Sequence, residues 1–75
     1  MSPRLPSVTA RQVIRVLEAV GFEQIRQSGS HATFRHPDGR WTIVSIHPGK
    51  VIPRGTLRKI LRDADITVEQ FLELL

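Results

Sequence analysis

Apolar residues recur along this chain with two different periods, and the changes of period mark out its elements. Val13, Ile14, Leu17 and Val20 form one stripe at helical spacing, with Arg11, Arg15 and Glu18 facing away, and predict a first helix. Thr9 and Gln12 stand at capping-box spacing, Val8 and Val13 can form a hydrophobic staple, and Gly21 offers a left-handed stop. Residues 22–27, with Phe22 and Ile25 as apolar members, then read as a first strand. Strands over 31–36 and 40–46 follow, set off by the turn sequences Ser28-Gly29-Ser30 and Pro37-Asp38-Gly39. Helical spacing returns over 56–64 with Leu57, Ile60, Leu61 and Ala64, and Asp65 takes the stop position. Thr67 and Gln70 form a second capping box ahead of Val68, Phe71, Leu72 and Leu75.

The order α-β-β-β-α-α predicts an α+β fold, a three-stranded antiparallel sheet with helices on one face. Residues 8–75 are expected to form one domain. Residues 1–7, with two prolines and no periodicity, are expected to form a flexible tail. Side-chain parity assigns Phe34, Val44 and Ile46 to the core, and His31, Thr33 and Arg35 to the open face with Trp41 and Ile43. The same parity puts His36 on the core side as a structural histidine, while His47 shapes the Pro48-Gly49 turn.

Size and composition narrow the functions available. A chain of 75 residues has a thin core, so any active site belongs on the surface. No cysteine is present, and no apolar run approaches a membrane span or signal-peptide core, so a soluble cytoplasmic protein is expected. The net charge of +4 is unevenly distributed: residues 26–62 hold eight basic side chains against one acid, Asp38, whereas 63–75 hold four acids and no base. A basic middle suits either a polyanionic partner or a solvated surface. Nine arginines against two lysines favour phosphate, which guanidinium binds bidentately. Arg54, Arg58 and Arg62 recur every four residues as a basic ridge along the second helix. The three histidines lack helical ligand spacing, and the turn residue Asp38 is the one acid between residues 24 and 62, so neither a metal nor another cofactor is expected.

One stretch concentrates candidate chemistry. Ser28-Gly29-Ser30 leads directly into His31, the first residue of a strand. Imidazole exchanges protons near neutral pH, and turn amides stabilise developing negative charge. A strand-initial histidine is nevertheless more often structural, so the residues alone leave its role open. Trp41 either stacks a nucleobase or packs half-buried.

Several local features together resemble the HicA family of toxin–antitoxin mRNA interferases. They are Gly21-Phe22, Gly29-Ser30-His31 with Phe34, His36-Pro37-Asp38-Gly39, Ile46-His47-Pro48-Gly49 and the run from Gly55 to Leu61. The resemblance implies a double-stranded-RNA-binding-domain-like fold, mRNA cleavage dependent on His31, and neutralisation by a HicB-like antitoxin. RNA would then meet Ser28, Gly29, Ser30, Arg35, Lys50, Arg54 and Arg58. Two departures from the family pattern are Ser45, where proline is common, and Asp65, where glycine is common. A non-catalytic double-stranded-RNA-binding module of the same fold is the alternative. Direct DNA binding is not expected, because the last helix is acidic where a helix-turn-helix would meet phosphate.

Overall fold

The computed structural model describes residues 4–75. Helix α1 (Ala10–Ala19) leads into strands β1 (Glu23–Ser28), β2 (His31–Arg35) and β3 (Trp41–Ser45), and helices α2 (Arg54–Ala64) and α3 (Val68–Leu74) follow. The strands form one antiparallel sheet in the order β1-β2-β3, as the alternation predicts.

Both longer helices end in the same hydrogen-bonding pattern. After α1, Gly21 N–H donates to Glu18 O (3.1 Å) and Phe22 N–H to Leu17 O (2.9 Å), a Schellman motif closed by the buried Phe22–Leu17 pair. Gly21 has φ +102, and a Cβ there would lie 2.9 Å from His36 Nε2, so backbone angle and crowding both require glycine. After α2, Asp65 N–H donates to Arg62 O and Ile66 N–H to Leu61 O (2.9 Å), with Asp65 at φ 55 in the left-handed position. Helix α2 begins two residues before the position that spacing predicts. Pro53 stands at φ −56, and its carbonyl accepts the Leu57 N–H at 2.9 Å, which draws Arg54 and Gly55 into the first turn. Thr67 and Gln70 close α3's capping box reciprocally.

Ala32, Phe34, Thr42 and Val44 face inward, where Val13, Leu17, Leu57, Ile60, Leu61 and Phe71 cover them. Thr42 is the one buried polar residue among those described, and its hydroxyl donates to Asp63 Oδ2 at 3.0 Å. Ile46 packs half-buried against this core.

Three expectations need correction. Ile25 does not pack inward: the β1–β2 register shifts between Gln24 and Arg26, and the extra residue, Ile25, is 54% exposed. Phe22 precedes β1, where it completes the Schellman motif. Leu5, in the stretch read as a flexible tail, is buried in the core, and Ile52 N–H donates to Val8 O (2.8 Å) beside a Thr9–Val51 bridge. Residues 1–3 of that stretch lie outside the described residues.

Candidate active site

The β1–β2 hairpin pairs Ser28 with His31 and leaves Gly29-Ser30 as a two-residue connection. Gly29 has φ +60, and Ser30 is not among the positive-φ residues, which is the type II′ arrangement that matches strand twist. A Cβ at Gly29 would meet nothing within 4 Å, so backbone angle alone calls for glycine and the space before the turn is open. Both turn carbonyls are held: Gln27 Nε2 donates to Gly29 O (3.0 Å) and Ile46 N–H to Ser30 O (2.7 Å). The N–H groups of Gly29 and Ser30 donate to no protein acceptor among the described residues.

His31 opens β2 with Ser28 across from it on β1 and Ser45 on β3. Its side chain is exposed and makes no hydrogen bond or ion pair among the described residues. Further along β2, Thr33 lies between Arg26 and Ile43, and Arg35 between Glu23 and Trp41. This face is opposite the helices and uncovered. Neither Arg26 nor Arg35 forms an ion pair among the described residues.

The remaining sequence-predicted contacts lie at different distances from this face. Lys50 is exposed and lines a groove of about 220 Å³ with Ser45 and His47, so it stands at the margin of the His31 row. Arg54 and Arg58 are elsewhere. At about 3.6 residues per turn they share an α2 flank with Arg62. Thr56, Lys59 and Asp63 occupy the other flank, which runs along β3 through the Thr42–Asp63 hydrogen bond. The structure therefore gathers Ser28, Gly29, Ser30, His31 and Arg35, and separates Arg54 and Arg58 from them.

His36 is structural. Its ring meets Phe22 edge-on with centroids 5.3 Å apart, and its Nδ1 accepts the Asp38 N–H at 3.1 Å. The Asp38 carboxylate is also 3.0 Å from Nδ1, but a nitrogen accepting that N–H cannot donate, so the hydrogen bond is the interaction that counts. His47 sits between the Lys50 groove and a larger one, about 600 Å³, beneath Arg11 and Arg15 of α1.

Arg40 is the residue that charge counting misreads. Its Nε donates to Asp38, its Nη1 to the Ala64 carbonyl at the end of α2, and its guanidinium lies 5.3 Å from the Phe22 centroid. Arg40 thus ties the β2–β3 hairpin to α2 and caps a helix C-terminus. The Arg40 backbone N–H on Asp38 holds that carboxyl below its ordinary value, assisted by the Arg40 side chain. Lys59 is paired in the same way with Asp63 at 2.9 Å. The sequence signal was the Asp38-Gly39-Arg40 turn, whose acid and base are two residues apart across a tight hairpin.

An antiparallel sheet covered by helices on one side, with an arginine-lined, histidine-bearing face on the other, defines a small basic α+β domain. Its α-β-β-β-α core has the order of a double-stranded-RNA-binding domain. More narrowly, the chain belongs to the HicA toxin family: the family described as "HicA toxin of bacterial toxin-antitoxin" matches residues 10–66, more than half of the chain, including Gly29-Ser30-His31. It is accordingly the toxin component of a toxin–antitoxin system. No curated protein matches the chain. Among the described residues, no helix is long and apolar enough to cross a membrane.

Proposed function

We propose that this toxin is a metal-independent endoribonuclease that cleaves mRNA in the cytoplasm, with His31 as its essential proton-transfer residue. The observation that carries the reading is the free, exposed His31 side chain beside the unpaired amides of the Gly29-Ser30 turn, on a face lined by Arg26 and Arg35.

In this reading a ribose 2′-hydroxyl attacks the adjacent phosphorus and the bond to the 5′ oxygen breaks, leaving a cyclic phosphate and a 5′-hydroxyl. His31 takes the 2′-hydroxyl proton and then returns it to the leaving oxygen, one imidazole serving both steps in succession. The Gly29 and Ser30 amides, the Ser28 and Ser30 hydroxyls and Arg35 supply the positive field that charge on the transferring phosphoryl group requires. Lys50 holds the strand at the groove beyond Ser45, while Arg54 and Arg58 hold RNA outside the cleavage position. A HicB-like antitoxin neutralises the toxin by laying an acidic surface over the open face.

The test is cleavage of end-labelled RNA by wild type and His31→Ala, with chelator present and product ends analysed for cyclic phosphate. Loss of general acid–base catalysis predicts a rate about 100- to 10,000-fold lower in the variant. Stability should stay within about 0.5 kcal/mol, because the residue is exposed. Wild-type cleavage by His31→Ala contradicts the reading. Salt-sensitive RNA binding without cleavage by wild type would make the protein the non-catalytic module instead.

A further inference from the structure

We propose that Trp41 is a stacking subsite for an unpaired nucleobase of the RNA, on the same open face as His31 and a few nucleotides from the cleaved bond. The proposal rests on the ribonuclease reading of that face and specifies the form of RNA it accepts.

Trp41 is 57% exposed, and Ile43, two residues on and on the same face, is 40% exposed. Tryptophan is highly buried on average in folded proteins, so an open indole beside an open isoleucine is an apolar patch lacking a partner. Among the described residues, no aromatic ring or cation stacks on the indole: the aromatic pair is Phe22–His36, and the cation over a ring is Arg40 over Phe22. Both indole faces are free of those interactions.

Surrounding charge identifies the occupant. Arg35 is Trp41's direct cross-strand neighbour, and Arg26 follows two rows along on the same face. Neither forms an ion pair, and Glu23, the acid across from Arg35, pairs with no base among the described residues. On the outer edge of β3, Arg40 and Lys59 line a hollow of about 310 Å³ beside Trp41, where Asp63 is already engaged by Lys59 and Thr42. An aromatic platform flanked on one side by unpaired arginines is the arrangement that binds single strands, with bases on rings and phosphates on guanidinium groups. A purely apolar protein helix seated on the same pair would leave both arginines without partners, whereas RNA supplies a ring for Trp41 and phosphates for the arginines together.

Position ties the subsite to the reaction. Arg35 is four residues from His31 along β2, or about 13 Å at strand rise. That spans about four nucleotides of a strand keeping a stacked rise of ~3.4 Å, and fewer where the strand is extended. A base paired within a helix cannot present its face to Trp41, so the RNA is unpaired there.

Trp41 is the sole tryptophan and the chain has no tyrosine, so intrinsic fluorescence reports on this position alone. Titrating His31→Ala with a short single-stranded oligoribonucleotide should quench that fluorescence saturably, while a duplex of the same sequence should not. Binding of the dye-labelled oligonucleotide, followed by anisotropy, should weaken about 5- to 150-fold in His31→Ala/Trp41→Ala and far less in His31→Ala/Trp41→Phe. In the cleavage assay, Trp41→Ala alone should raise KM and leave kcat near wild type. Equal affinity in the Ala and Phe variants, or equal quenching by duplex, overturns the subsite and leaves the patch to a protein partner. If RNA is cleaved in a His31-dependent way while Trp41→Ala changes nothing, the subsite falls and the ribonuclease reading stands. If quenching and the Ala–Phe difference appear but wild type cleaves no RNA, stacking is upheld and the ribonuclease reading falls.

Discussion

Replacing Asp65 with glycine is expected to stabilise the fold. Asp65 closes the Schellman motif at the end of α2 with φ 55, and its side chain makes no hydrogen bond or ion pair among the described residues, so its removal breaks no contact. A side chain held in left-handed geometry costs about 1–2 kcal/mol, with Asp toward the low end because it tolerates that geometry better than most. Glycine removes this strain but gives the unfolded chain freedom worth about 0.4–1 kcal/mol. The backbone balance is therefore about 0–1 kcal/mol in glycine's favour. A carboxylate at a helix C-terminus also opposes the macrodipole by about 0.3–1 kcal/mol. Here the lower part of that range applies, because Arg40 already meets the Ala64 carbonyl and Arg62 lies in the last turn. The two contributions give about 0.3–1.5 kcal/mol, or from about 1 °C to several degrees at the ~4–8 °C per kcal/mol expected for a domain of this size. Asp65→Asn isolates the charge, since Asn keeps the left-handed tolerance, and should contribute about 0.3–0.5 kcal/mol. Thermal and urea unfolding should rank Asp65→Gly above Asp65→Asn and both above wild type. A melting temperature for Asp65→Gly at or below wild type would refute the strain argument.

Three further predictions concern the charges. Arg40→Ala should lose about 1–3 kcal/mol in urea unfolding by freeing the Ala64 carbonyl and the Asp38 carboxylate, whereas Arg35→Ala should stay within about 0.5 kcal/mol. In RNA titrations across salt concentrations, Arg35→Ala should weaken binding and lower the salt slope by about one phosphate contact. Asp38, held below its ordinary value of 3.8, contributes stability that is present above that value and lost as pH falls through its folded-state value. The melting difference between wild type and Asp38→Asn should accordingly shrink from neutral pH to well below 3.8; a difference that persists in acid would assign the effect to shape rather than charge.

What could be read from the sequence was whatever local chemistry decides. Thr67 with Gln70, Gly21, Asp65 and the Gly29-Ser30 turn act within a few residues of themselves, and each stands where its residue type predicts. Parity placed Phe34 and Val44 inside and His31, Arg35 and Trp41 outside, because an even period survives folding wherever the strand is regular. It failed at Ile25, since a bulge adds one residue and only the partner strand reveals it. Leu5 was misread because its burial depends on the pairing of Val8 with Ile52, which no local pattern announces. The arginines were the hardest. The Asp38-Gly39-Arg40 turn signals Arg40's local ion pair, but its bond to the distant Ala64 carbonyl, which ties the hairpin to α2, appears only in the fold.

That distinction bears on how the site arose in so small a domain. A three-stranded sheet in 75 residues has helices enough to cover one face, so the other must meet water or a ligand. Solvent alone would favour a polar surface there. The rows containing His31, Arg35, Trp41 and Ile43 are different: they combine open apolar area with cations lacking internal partners. Bases with an acid close by, such as Arg40 beside Asp38 and Lys59 beside Asp63, fasten turn to helix and neutralise themselves. Cations without such a partner keep their charge for a ligand. Sorting basic residues by internal pairing, rather than by number, separates the charges that hold this protein together from those left for a ligand, and it puts Arg26 and Arg35 in the second group.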